Sequence, residues 1–240
     1  MKMYTLAFEG TAKVASVAVG ADDKIIAHYG IDNGLTQSEL LLPMAEGMLK
    51  NLGLNFSDIG LFATSVGPGS FTGVRIGVSL VKGLAFGRDI PCVGVSTLDA
   101  LAENLRGLSG IIVPCMDARR NQVYTAIYSS DGEVLLKLTE DMAISIDELR
   151  ERLSKLSDTN IYISGDGYDI VKRRLSELGL DTKNTPSELR LENAASVARI
   201  AYKKYKAGEY TSDLEISPTY LRLPQAERER LEKLKEKEEK

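Results

Sequence analysis

Apolar and polar residues first follow a short period along this chain and then a longer one. Residues 3–8 are mostly apolar, 14–19 are small and β-branched, and 24–29 follow an Asp22-Asp23 turn. This pattern predicts a three-stranded antiparallel meander, with residues 9–13 joining its first two strands. Beyond Gly34 the spacing becomes helical from 38 to 52 and stops at Gly53. A strand at 61–65, a Gly-rich loop, a helix at 73–87, a strand at 92–95 and a helix at 98–105 follow. A second unit opens near 107–110. It holds strands at 111–116, 122–128 and 133–139, the last two joined through Asp131-Gly132. Helix 146–156, strand 161–164 and helices 168–178 and 193–206 complete it. Residues 225–240 are charged with few apolar anchors and read as a frayed, solvated helix.

The order βββαβαβα demands a mixed sheet with helices packed on it, which is the pattern of a ribonuclease-H-like lobe. The expected fold class is therefore α/β, an actin/Hsp70-like (ASKHA) fold of two ribonuclease-H-like lobes with mixed sheets. The expected boundaries are an N-terminal lobe at 1–106, a C-terminal lobe at 107–224 and the tail at 225–240. No internal sequence repeat marks the two halves, although their element orders match.

The two long helices of the first unit are too apolar for one contact each. On helix 73–87, Arg75, Ser79, Lys82 and Phe86 share one narrow face, leaving an apolar arc of about 220° where a little over 100° would serve a sheet. Helix 38–52 confines Glu39, Glu46 and Lys50 to one side of an apolar arc of about 200°. An apolar excess of this size marks an interface with a second protein, unless the second domain or the tail of the chain itself covers it. The expected contact residues are Leu41, Met44, Ala45, Met48 and Leu49 on the first helix. On the second they are Gly73, Val74, Gly77, Val78 and Val81, with the glycines admitting a neighbouring backbone and the methionines adapting to it.

The run Gly67-Pro68-Gly69-Ser70-Phe71-Thr72-Gly73 lies between a strand and a helix, where glycines often cradle a phosphate. Pro68 removes a donor, the third glycine is displaced, and no Lys-Ser or Lys-Thr follows. Thr72 and Pro68 also stand where a nucleophile elbow needs glycine. Glu9, Gly10, Thr11, Gly67, Gly69 and Asp117 are marked as vestigial nucleotide-facing turns. With His28 the sole histidine and Cys92 and Cys115 in apolar runs, a zinc site is hard to build, and the thiols read as buried hydrophobes.

Composition is ordinary for a globular protein, 43% hydrophobic and 27% charged. Net charge is −4 and the tail is balanced, so the body is acidic and ill suited to gripping RNA phosphates unaided. Arg119-Arg120, Lys172-Arg173-Arg174 and Lys203-Lys204 read as solvated faces. No apolar run is long enough to span a membrane, and the N-terminal one is too short for a signal peptide, so a cytoplasmic protein is expected.

Several motifs together resemble the TsaB (YeaZ) family. They are the Gly67–Gly77 run, Pro91-x-x-Gly94-Val95-Ser96-Thr97-Leu98, Asp117-Ala118-Arg119-Arg120 with Gln122-Val123-Tyr124, and Pro218-x-Tyr220-Leu221-Arg222. The resemblance implies a non-catalytic subunit in tRNA threonylcarbamoyladenosine (t6A) biosynthesis that pairs with the catalytic paralogue TsaD through its first two helices. TsaE, an ATPase, would complete the assembly. ATP and magnesium would be used by partners and no cofactor by this chain, tRNA would be met only indirectly, and the free chain would pair with itself. Two departures stand out: Glu9 where relatives carry Asp, and Gln37-Ser38-Glu39 where they carry His-Ser-Glu. Neither leaves a metal-binding histidine, and a lone ATP-using kinase or transferase is the competing reading.

Overall fold

The structure is a computed structural model that describes residues 2–156 and 159–222. The charged tail at 225–240 lies outside the described residues. Strands β1 (Tyr4–Glu9), β2 (Ala15–Ala21) and β3 (Lys24–Ile31) form the antiparallel meander that the alternation predicts. Helix α1 (Gln37–Leu52) carries the chain to β4 (Ile59–Gly67), which lies parallel to β1. Helix α2 (Phe71–Ala85) then leads to β5 (Cys92–Ser96), giving the sheet order β3-β2-β1-β4-β5. β2 is buried at every position, whereas edge strand β3 alternates between half-buried and exposed. The difference has a simple cause: helices cover both faces of the central strands.

The second lobe repeats this topology. β6 (Ser109–Asp117) is flanked on one side by β7 (Gln122–Thr125) and β8 (Tyr128–Asp131), and on the other by parallel β11 (Ile161–Ser164). β7 and β8 hold one register on β6, with Cys115 opposite Thr125 and Ile112 opposite Tyr128. The break falls opposite Pro114, which has no N–H to give the ladder. The single strand expected at 122–128 is thus interrupted rather than absent. β9 (Leu135–Lys137) and β10 (Met142–Ser145) line the outer edge of β8 and β7, and β10 was not foreseen. Helices α4 (Ile146–Leu153) and α5 (Tyr168–Glu177) take the places that α1 and α2 hold in the first lobe.

The remaining helices pack across the two lobes. Helix α3 (Thr97–Glu103) follows the first lobe, yet Leu98, Leu101 and Ala102 pack on Ile112, Met116 and Tyr128 of the second sheet. Helix α6 (Ala194–Lys206) follows the second lobe, yet Ala194, Val197, Ala198 and Ala201 pack on Ala7, Ala18, Ala63 and Val95. Small residues on both sides let helix and sheet approach closely. Beyond α6 the chain returns along the first lobe as a strap. Thr211 bridges Cys92, Ile216 enters the core, and the Thr219 N–H donates to the Val66 carbonyl at 2.7 Å.

Candidate functional site

The outward surface of α1 and α2 and the cleft between the lobes are the two candidate sites. α1 starts at Thr36, whose N–H and hydroxyl both donate to the Glu39 carboxylate at 2.9 and 2.6 Å. It ends on Gly53 in the left-handed conformation, φ +67°. α2 starts two residues earlier than expected, with the Ser70 hydroxyl accepting from the Gly73 N–H at 3.3 Å.

All ten expected contact residues turn inward. Leu41, Met44, Ala45, Met48, Leu49, Val74, Val78 and Val81 fill the core between the helices and the first sheet, each at most 7% exposed. Gly73 and Gly77 are fitted to the chain itself. A Cβ at Gly73 would overlap the Gly10 carbonyl, and one at Gly77 would come within 2.5 Å of the Thr64 hydroxyl. The expectation that these glycines admit a neighbouring protein is corrected: they let α2 lie against β4 and the Glu9-Gly10-Thr11 turn.

The apolar excess survives on the outward side. An apolar groove of about 660 Å³ runs between the helices, lined by Leu42, Phe71, Ile76 and Leu80 above the buried Leu41. Leu42 is 36% exposed and Phe86, at the end of α2, is 73% exposed. Gly47 and Gly83 face open space. Pro43 is the seventh residue of α1 and lies on this exposed side, away from the packed face.

The cleft measures about 470 Å³ and is lined by Thr11, Lys13, Gly69, Asp117, Asp166, Tyr220 and Arg222, among others. The polar groups on its first-lobe wall are largely paired within the chain. Glu9 is fully buried and accepts from the Thr11 N–H at 2.7 Å, the Thr11 hydroxyl at 2.6 Å and the Ser65 hydroxyl. Burial pushes its carboxyl above the usual range despite these donors. The Ser70 N–H donates to the Thr11 carbonyl at 2.7 Å, and a Cβ at Gly69 would meet that oxygen at 2.5 Å. The Gly67–Gly69 loop therefore closes over the turn, whose groups are already paired. The Gln37 side-chain amide donates to the Ala12 carbonyl at 2.7 Å.

Across the cleft, Asp117 accepts from the Arg119 N–H at 2.7 Å, inside a turn whose residues Arg119, Arg120 and Asn121 all have positive φ. The Arg119 side chain is 88% exposed, so its pairing with Asp117 is local and solvated. Sequence reasoning missed Asp166 and Glu192. Asp166 sits in Gly165-Asp166-Gly167, a strand-to-helix turn, and accepts from the Asp117 N–H at 3.0 Å. Glu192, just before α6, is 3% exposed, and among the described residues no side chain hydrogen-bonds its carboxyl; only its own backbone N–H and that of Asp166 offset the burial. Burial, with Asp166 and Glu9 nearby, pushes its carboxyl up to about 8. Among the described residues no three His, Cys, Asp or Glu side chains are grouped to hold a metal ion. Both cysteines are free and buried, with Cys92 pushed up to about 11 and Cys115 to about 12 by burial. No helix among the described residues is long and apolar enough to cross a membrane.

Comparison with known proteins places these features in a family. The chain is 31% identical to the tRNA threonylcarbamoyladenosine biosynthesis protein TsaB of Bacillus subtilis, over 97% of this chain and 100% of that protein. It belongs to the TsaB family. The Escherichia coli TsaB is also 31% identical, over 92% of this chain and 95% of that one. Residues 36–230 match the family model described as TsaD: tRNA N6-adenosine threonylcarbamoyltransferase. The crystal structure of YeaZ from Pseudomonas aeruginosa superposes with a TM-score of 0.73 at 25% identity, covering 91% of this chain and all of that one. A TsaB-type chain thus shares one family model with a transferase, and the actin-like, two-lobed fold follows from this likeness and from the repeated topology.

Proposed function

We propose that this chain acts in t6A biosynthesis as a non-catalytic subunit that binds the transferase TsaD through the outward side of α1 and α2. The name of the Bacillus subtilis relative supplies the process. The observation that carries the reading is the open apolar groove between two helices whose inward faces are already filled. A groove lined by Leu42, Ile76 and Leu80, with exposed glycines alongside, suits a second pair of helices. The closed phosphate turn supports the other half of the reading, since its donors are spent within the chain. ATP and magnesium then enter through the partners, with TsaE in the wider assembly and tRNA met through TsaD. Without TsaD, the same face pairs two copies of the chain.

Calorimetric titration of the purified chain with TsaD tests this. Leu42→Glu places a charge in the groove at an exposed position, and Leu80→Glu does so at a half-buried one on the edge of the core; each is expected to weaken binding by ~100-fold or more. Unchanged affinity in these variants, shown to be folded, would sink the docking assignment. Sub-millimolar binding of magnesium-ATP by the lone chain would move the reading toward an enzyme.

A further inference from the structure

One cation on the docking side is held differently from the others. Arg88 spends its guanidinium on the Leu84 and Phe56 carbonyls at 3.1 and 2.7 Å, and Lys82 donates to the Leu214 carbonyl at 3.0 Å. Arg75 is exposed, and among the described residues no carboxylate pairs with it. Its guanidinium lies 3.8 Å above the Phe71 ring, and its Nε donates to the Tyr220 hydroxyl at 2.9 Å. Tyr220 in turn stacks on Phe71 with centroids 4.9 Å apart. The strap fixes Tyr220 from both sides. Thr219 bonds Val66, and Arg222 reaches the second lobe at the Gln122 side chain, 2.6 Å, and the Ala118 carbonyl, 3.3 Å.

A stacked guanidinium with one nitrogen occupied leaves its two terminal nitrogens as a fixed fork. Such a fork matches a carboxylate in two parallel hydrogen bonds. It stands at the rim of the apolar groove, which Arg75 itself lines. Arginine beside aromatic rings at the border of an apolar patch is the composition of an interface hot spot.

We propose that Arg75 takes a carboxylate of the docked TsaD chain, and that Tyr220 on the strap is its positioning residue. The proposal rests on the docking reading above. It favours a protein carboxylate over an RNA phosphate because, among the described residues, Arg75 is the one Lys or Arg lining the groove, and a single fork suits a single carboxylate whereas a nucleic-acid backbone is gripped by several cations.

The test is titration of TsaD with the wild-type chain, Arg75→Ala, Arg75→Lys and Tyr220→Phe, each at low and high salt, with Leu80→Glu alongside. Arg75→Ala is expected to weaken binding about tenfold or more and to flatten its salt dependence. Arg75→Lys keeps the charge but loses the fork, so it restores the salt dependence and only part of the affinity. Tyr220→Phe keeps the ring stack and loses the Nε bond, so it falls between. Arg75→Ala binding TsaD within twofold of wild type, with the salt dependence intact, overturns the proposal while Leu80→Glu still disrupts binding. Normal binding by Leu80→Glu as well would mean that the docking reading itself has failed. If Arg75→Ala weakens binding of tRNA by the lone chain and leaves TsaD affinity unchanged, the residue reads phosphate and the proposal is wrong.

Discussion

Glu192 is buried beside Asp166 and Glu9, and burial outweighs what backbone N–H groups offer its carboxyl, so folding favours its protonated form. Unfolded, the carboxyl loses its proton near 4.5; folded, it keeps it to about 8. Between these values the native state binds more protons, so stability falls as pH rises. The contribution is complete below 4.5 and lost above about 8, with a slope of up to about 1.4 kcal/mol per pH unit in between. Urea midpoints measured from pH 5 to 9 should fall through that window and then level off, and Glu192→Gln should flatten much of the fall. An equal slope in the Gln variant would assign it to other groups. Asp166 was legible as the centre of Gly165-Asp166-Gly167 between a strand and a helix. Glu192 was not, because its burial comes from α6 crossing to the first lobe, which no local pattern announces.

At the scale of elements, helical periodicity located α1 and α2 and showed that each is apolar over more than one face. It did not show which apolar side belongs to the chain's own core. The ten residues first singled out are inward because β1, β2 and β4 receive that side, and Gly73 marks where the backbone of α2 meets that of Gly10. Glycine spacing alone looks the same whether the close neighbour is another protein or the chain's own turn. The two kinds of glycine should separate in thermal unfolding. Gly73→Ala pushes a methyl into a backbone carbonyl and should cost ~1–3 kcal/mol. Gly83→Ala, on the open side of the same helix, should gain ~0.5–1 kcal/mol through helix propensity. A destabilised Gly83→Ala or a neutral Gly73→Ala would mean that the packing of α2 is assigned the wrong way round. Val78→Glu should unfold the lobe, so its loss of binding would carry no information about docking.

At the scale of the whole molecule, one sheet topology occurs twice, and each lobe lends its last helix to the other. The repeat was legible in the order of elements, since β-alternation followed by helical spacing occurs twice. The crossing of α3 and α6 was not, because both helices stand in the sequence as segments at the ends of their units, and nothing local says which sheet receives them. The strap was signalled only by the run Pro218-x-Tyr220-Leu221-Arg222, whose contacts with both lobes give that motif a physical purpose. The fold leaves the groove between α1 and α2 open and holds a cleft whose Glu9-Gly10-Thr11 turn is closed on itself. The most direct measurement of the proposed subunit role is t6A formation on purified tRNA, with TsaD, TsaE, ATP, a threonylcarbamoyl donor and this chain added or withheld. The account predicts little modification without the chain, full modification with it, loss with Leu80→Glu, and none by the chain without TsaD. Equal modification by TsaD in the absence of the chain, or modification by the chain alone, would contradict it.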